Sequence, residues 1–183
     1  MNLSKNFKKE IIEWTKIIVA SIAIALVITH FVRPTLVQGS SMYPTLEEKD
    51  YLIINRVAYN NNEPKRGDII VFKTDLVQAN GKEKDLVKRV IAVPGDHIRI
   101  IDNKVYLNGK LQNESYVHGE KTEGDIDMTI PKGYVFAMGD NRENSMDSRD
   151  QQVGLVNEKD IMGKVVIRLL PIDKIGKVSL VKL

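Results

Sequence analysis

Three short stretches carry the residue types that covalent chemistry needs. Gly39–Leu46 reads GSSMYPTL, two adjacent serines beside a methionine and a proline-fixed turn. Asp85–Asp96 reads DLVKRVIAVPGD, with Lys88 and Arg89 set inside an apolar run. Met138–Arg149 reads MGDNRENSMDSR, a dense polar run that follows the apolar Tyr134–Met138. A serine hydroxyl is a poor nucleophile until a neighbouring base takes its proton. Histidine is the usual base, but His30, His97 and His118 are far apart in the chain and mark no triad. A lysine can serve instead, provided burial disfavours its ammonium form and leaves a neutral amine. Strand alternation would send one of Lys88 and Arg89 toward the apolar side. The plain reading of that segment is an edge strand with both charges reaching water; the chemical reading is a desolvated lysine. For the polar run, the plain reading is a surface loop with weak ion pairs. The chemical reading is a loop held rigid against the core by its own hydrogen bonds.

These stretches need elements to position them. The chain starts MNLSKNFKKEIIEWTKIIVASIAIALVITHFVRPT. Ile11 to Val32, as a helix, is about 33 Å long, enough to cross a bilayer core. Lys5, Lys8, Lys9 and Lys16 precede or open the apolar run, and Arg33 alone follows closely. That asymmetry puts the N-terminus in the cytoplasm and the remainder on the extracytoplasmic face of the cell membrane. Trp14 stands where an interfacial aromatic would. A cleaved signal peptide, cut near Val37-Gln38-Gly39, is the competing reading. The length of the run and the immediate Arg33 favour an uncleaved anchor. A helix that is apolar on every face is rarely, at this length, the buried helix of a soluble protein. Ser41 is eight residues beyond Arg33, a reach of about 26 Å when extended. Its chemistry therefore takes place close to the membrane surface.

Beyond Arg33 the pattern becomes short Val-, Ile- and Tyr-rich runs separated by turn residues. Strands are expected at Tyr51–Val57, Asp68–Phe72, Leu86–Val93, Ile98–Ile101, Val105–Leu107, Tyr134–Met138 and Ile161–Leu169. Pro94-Gly95-Asp96, Asn108-Gly109 and Pro131-Lys132-Gly133 supply tight reversals, and Arg66-Gly67-Asp68 reads as a turn into a strand. No helical period separates the strands, so a parallel α/β sheet is not expected. The expected class is mainly β: an antiparallel, partly barrel-like domain tethered by one N-terminal transmembrane helix. The division is residues 1–10 cytoplasmic, 11–32 transmembrane, and 33–183 an extracytoplasmic catalytic β domain. Asn113–Thr129 reads as a polar, solvent-exposed excursion, and Pro171–Leu183 as a tail that rests on the membrane or frays.

Composition removes several alternatives. Net charge is only +3 at pH 7, with both signs interleaved, which does not suit nucleic acid. There is no cysteine, so disulfides, dithiol redox chemistry and thiolate metal sites are excluded. No histidine pair has metal-ligand spacing. No metal or other cofactor is expected.

Taken in order, SMYPTL, RGDIIVF (Arg66–Phe72), VKRVIAVPGD and GDNRENSMDSR resemble the boxes of type I signal peptidases, the membrane-bound Ser–Lys proteases of protein export. The match runs from the apolar segment to Leu169. One N-terminal span and compact size resemble the Gram-positive form. The resemblance implies that Ser41 is the nucleophile, with Ser40 its neighbour, and that Lys88 is the general base. It implies that Ser145 hydrogen-bonds and orients that lysine, with Asp147 and Arg149 supporting the site as a carboxylate–arginine pair. It places the Ser41 backbone N–H in the oxyanion hole and Met42 beside the substrate pocket. Two-span relatives have a serine where this chain has Gly39, so the second oxyanion donor here is either a backbone N–H or the Ser40 hydroxyl. The implied substrates are signal-peptide-bearing preproteins emerging from the export machinery, with small residues at positions −1 and −3 from the cut. The implied partner surface is membrane lipid. A soluble self-cleaving repressor of the Ser–Lys type is disfavoured by the anchor. A non-enzymatic tethered β module is disfavoured because serine and lysine are both present.

Overall fold

The computed structural model describes residues 3–78, 81, 83–119 and 121–178; the last residues of the expected tail, 179–183, lie outside them. The uninterrupted apolar run forms one helix, α1 (Leu3–Phe31). Its Phe7–Phe31 part is long and apolar enough to cross a membrane and is not covered by protein. The helix ends one residue earlier than expected, and the chain turns directly into strand β1 (Val32–Leu36).

The remainder is antiparallel β structure. In chain order come β2 (Tyr51–Asn55), β3 (Ile69–Phe72), β4 (Leu86–Ala92), β5 (His97–Ile101), β6 (Lys104–Leu107) and β7 (Lys110–Leu111). Then follow β8 (Ile126–Thr129), β9 (Tyr134–Met138), β10 (Val156–Asn157), β11 (Ile161–Leu170) and β12 (Gly176–Lys177). The larger sheet has the order β1-β2-β11-β3-β4-β9-β10, with β12 on β11. The smaller has the order β7-β6-β5-β8. Strand β11 reaches across both β2 and β3, with register shifts along each pairing. Such bulges bend a strand and raise its twist, which curls the large sheet toward a half-barrel.

All seven expected strands form. Three short strands, β7, β10 and β12, have two residues each and leave too little pattern to read. Strand β8 lay inside the segment expected to be an exposed excursion, and its half-exposed alternation hid it there.

The core explains why β3 and β4 are apolar nearly throughout. Ile69 and Val71 enter one cluster, together with Met42, Leu46, Leu52, Ile54 and Val165. Ile70 and Phe72 enter a second, with Leu86, Val90, Val135 and Ala137. Both faces of these strands are therefore covered, and β4 lies in the interior of the sheet between β3 and β9. This corrects the edge-strand reading: Lys88 and Arg89 are both buried. A third cluster joins the small sheet to the ends of β4 and β9 through Ile91, Phe136, Ile98 and Ile100. Met42 and Leu46 are 2% and 0% exposed. Burying each is worth about 1.5–3 kcal/mol, so the turn that carries the serines is pinned to the core rather than waving above it.

Candidate active site

Ser41 follows a sharp change of direction. Gly39 has φ of +82°, and a Cβ there would meet nothing within 4 Å. Glycine is needed for backbone conformation, not for space. Ser41 is half-buried and faces β4. There Lys88 Nζ donates to Ser41 Oγ at 2.7 Å and to the Val87 carbonyl at 3.0 Å. Lys88 is 2% exposed. Burial pushes its ammonium down to about 8, Asp147 and Asp140 pull it partly back, and Lys84 adds to the depression. An amine titrating there supplies a substantial neutral fraction at mildly alkaline pH, already in contact with the hydroxyl it would deprotonate.

Arg89, the neighbouring cation, has a different task. Its Nε and Nη2 donate to the two oxygens of Asp140 at 2.8 and 2.7 Å, and both side chains are fully buried. Nη1 donates to the Gly67 carbonyl at 3.1 Å, and the guanidinium lies 4.3 Å from the centre of the Tyr116 ring. This paired, stacked cation fastens the polar run to β4.

The polar run reaches the serines by several hydrogen bonds. The Asn141 N–H donates to the Ser41 carbonyl at 3.0 Å. Asn141 Nδ2 donates to the Ser40 carbonyl at 3.1 Å, and Asn144 Nδ2 to Ser40 Oγ at 2.9 Å. That last bond leaves the Ser40 hydrogen to donate elsewhere. Asp147 is buried. Burial raises its carboxyl, but two hydrogen bonds from Arg149, at 2.8 and 2.9 Å, hold it below the ordinary carboxylate range. Asp147 Oδ2 also accepts the Gly139 N–H at 3.0 Å. Thus Asp147 and Arg149 form the expected pair behind the site. Ser145 is brought there too, but the expected bond to Lys88 is not formed. Its Oγ is buried without a hydrogen-bond partner, although it lies near enough to Asp147 to help lower that carboxyl. The lysine's contacts go instead to Ser41 and to its own strand.

Gly139 is where these parts meet. A Cβ on it would collide with Ser145 Oγ, Ser145 Cβ and the Ser41 carbonyl oxygen. Gly139→Ala is accordingly expected to displace both serines. A misplacement of this kind costs about 10²-fold in catalytic rate. Initial rates of preprotein cleavage, with circular dichroism showing an intact fold, would check it. Wild-type rates would mean that the close approach does not matter.

Some supporting residues were not legible in the sequence. Arg142 is fully buried and grips Glu114 through Nη1 and Nη2 at 2.8 and 2.6 Å, Thr122 Oγ1 at 3.0 Å and the Gly139 carbonyl at 2.9 Å. The segment expected to be a solvated excursion thus straps the polar run in place, with Tyr116 and Thr122 buried beneath it. Glu114 and Arg142 are 28 residues apart and share no periodic pattern, so only the two charges, without their pairing, were visible.

A cleft of about 400 Å³ opens onto Ser41. It is lined by Gln38, Gly39 and Ser40 from the serine turn and by Asp85, Leu86 and Val87 at the start of β4, together with the buried Met42 and Lys88. Of the eight candidate site residues, Gly39, Ser40, Ser41, Met42 and Lys88 line this cleft, and Ser145, Asp147 and Arg149 belong to the polar run that reaches it through Asn144 and Met146.

Comparison with known proteins places residues 11–170 within the family model described as signal peptidase, peptidase S26. The chain is 40% identical to signal peptidase I P of Bacillus subtilis subsp. natto, over 93% of this chain and 95% of that protein. It is 38% identical to signal peptidase I T of Bacillus subtilis (strain 168), over 94% of each. Signal peptidase IB of Staphylococcus aureus (strain COL) is 35% identical, over 91% of this chain and 93% of that protein.

Proposed function

This chain belongs to the peptidase S26 family of signal peptidases, and on that premise we propose that Ser41 and Lys88 are the nucleophile and base of its peptidase reaction. The protein is a serine endopeptidase that removes signal peptides from preproteins. One observation carries the assignment of the pair: a buried amine with a depressed pKa donates at 2.7 Å to the hydroxyl of a serine that lines an open cleft.

The reaction follows from that contact. Ser41 Oγ attacks the scissile carbonyl carbon as neutral Lys88 takes the hydroxyl proton. The carbonyl oxygen becomes an oxyanion, which the Ser41 N–H receives; preset donors of this sort are typically the largest catalytic contribution. The C–N bond then breaks, and the Lys88 ammonium returns its proton to the leaving amine. The resulting ester on Ser41 is hydrolysed by a water that Lys88 deprotonates, which frees the acid product and restores the Ser41 hydroxyl. Asp147, Arg149 and Ser145 hold the lysine's surroundings, while Asn141 and Asn144 hold the serine turn. For the second oxyanion donor, the contact from Asn144 favours the Ser40 hydroxyl, whose hydrogen it leaves available.

Strand β1 is the outermost strand of the large sheet, and its end lines the cleft. An extended substrate segment can lie along that edge with its scissile bond over Ser41. The N-terminal apolar helix is consistent with membrane anchoring. In the arrangement proposed here, residues 1–10 are cytoplasmic, 11–32 span the membrane, and 33–183 act on the outer face, within reach of a signal peptide's end. Incubating the purified full chain with a preprotein and sequencing the new N-terminus tests this reading. One cut after a signal peptide is expected from the wild type and none from Ser41→Ala. Cleavage by the Ser41→Ala variant would remove Ser41 from its role.

A further inference from the structure

From a second cleft, at the exit of α1, we infer a binding site for the phosphodiester headgroup of an anionic membrane lipid. The cleft has a volume of about 430 Å³. His30, Arg33, Arg56, Lys73, Lys159 and Asp160 are among its lining residues. Four cations therefore face one carboxylate. All four are exposed, and among the described residues none forms a salt bridge.

Arg56 is fixed at the helix exit. Its N–H donates to the Phe31 carbonyl at 2.9 Å and its Nη1 to the Thr29 carbonyl at 3.3 Å. Lys73 follows the end of β3, and its N–H donates to the Asp160 carbonyl at 3.0 Å, which brings the Lys159–Asp160 turn alongside. The site is assembled from four separate parts of the chain. It rests on the reading of α1 as a membrane span, which puts Phe31 and Arg33 at the membrane boundary. Anything within a few ångströms of Arg33 then lies at headgroup level.

Charge bias along the sequence gives no hint of this. Only Arg33 is close to the outer end of the span, and folded domains translocate regardless of charge. The fold returns Arg56, Lys73 and Lys159 to the same place. Converging cations beside a membrane span suit a lipid phosphate, and arginine adds forked hydrogen bonding to its oxygens. The site lies apart from the Ser41 cleft and shares no lining residue with it.

The test uses the full chain in phosphatidylcholine vesicles doped with spin-labelled phosphatidylglycerol or spin-labelled phosphatidylcholine. The motionally restricted fraction of each label gives the preference for the anionic lipid. Arg56→Gln/Lys73→Gln/Lys159→Gln is expected to lower that preference about fivefold or more. Lys104→Gln/Lys110→Gln/Lys132→Gln removes equal charge from the region of the small sheet and is expected to leave it unchanged. Equal losses in both triple variants would reduce the effect to net charge and overturn the site. Wild-type preference in the first variant would overturn it as well. Millimolar inorganic phosphate is expected not to compete; full competition would make this a site for free phosphate rather than lipid. Failure of the wild type to float with vesicles would defeat the membrane reading and this site with it, but would leave cleavage by Ser41 and Lys88 standing.

Discussion

Lys88→Met will abolish cleavage and make the protein more stable. Nucleophile and base act as a unit, so loss of the base is expected to lower kcat/KM by at least about 10⁴-fold, comparable to Ser41→Ala. The stability gain has a separate origin. The Lys88 pKa falls from its ordinary 10.5 to about 8 in the folded protein. Between those values the unfolded chain holds a proton that the folded chain has released. Stability therefore rises with pH across this window. Below about pH 8 the folded protein bears the full cost of a desolvated ammonium, about 3 kcal/mol by linkage. Methionine is unbranched and of similar length, and it fills the slot without a charge. At pH 7 the variant is expected to melt several degrees above the wild type. Its margin should shrink as pH approaches 10.5. The wild type's kcat/KM should rise with pH and reach half its maximum near pH 8, where the amine becomes neutral. Thermal unfolding and cleavage rates from pH 6 to 10 give all of these quantities. Full activity in Lys88→Met would end the Ser–Lys assignment, and a rate that falls from acid to neutral pH would indicate a different base.

Asp140→Ala is expected to be the most damaging single change to stability. It strands the Arg89 guanidinium in a site where both partners are fully buried. Breaking a buried pair from one side costs about 3–5 kcal/mol, because the remaining charge has no water to return to. For a chain of this size that corresponds to a fall in Tm on the order of 10 °C. Activity should fall as well, since Asp140 adjoins Gly139 and Arg89 adjoins Lys88. The double variant Asp140→Ala/Arg89→Met removes the stranded charge and should recover much of the loss. Differential scanning calorimetry of the three proteins in detergent decides it. A single variant melting within about 2 °C of the wild type would show that the pair does not hold the site together.

The two predictions separate what neighbouring residues hide. In sequence, Lys88 and Arg89 look like one basic pair. In the fold they are buried in different surroundings, one against a hydroxyl and one against a carboxylate. The lysine has no carboxylate in contact and pays for its burial in pKa. The arginine is paired through two of its nitrogens with both oxygens of Asp140.

Much was nonetheless readable beforehand. The apolar run identified α1 because a membrane-length helix needs only composition and length, both local properties. Seven strands followed from alternation and turn residues, which are local as well. The order of four short boxes carried the resemblance to signal peptidases, and with it Ser41 and Lys88. Other features depended on contacts between distant segments. Among them are the interior position of β4, the Glu114–Arg142 strap and the unpartnered Ser145 Oγ. The cation-lined cleft at Arg33 and Arg56 belongs with these. Burial and pairing depend on which strands lie side by side, and that is set by long-range packing. A lysine's pKa is set by what surrounds it, so the sequence could nominate Lys88 as the base, but only its interior place in the folded sheet desolvates it.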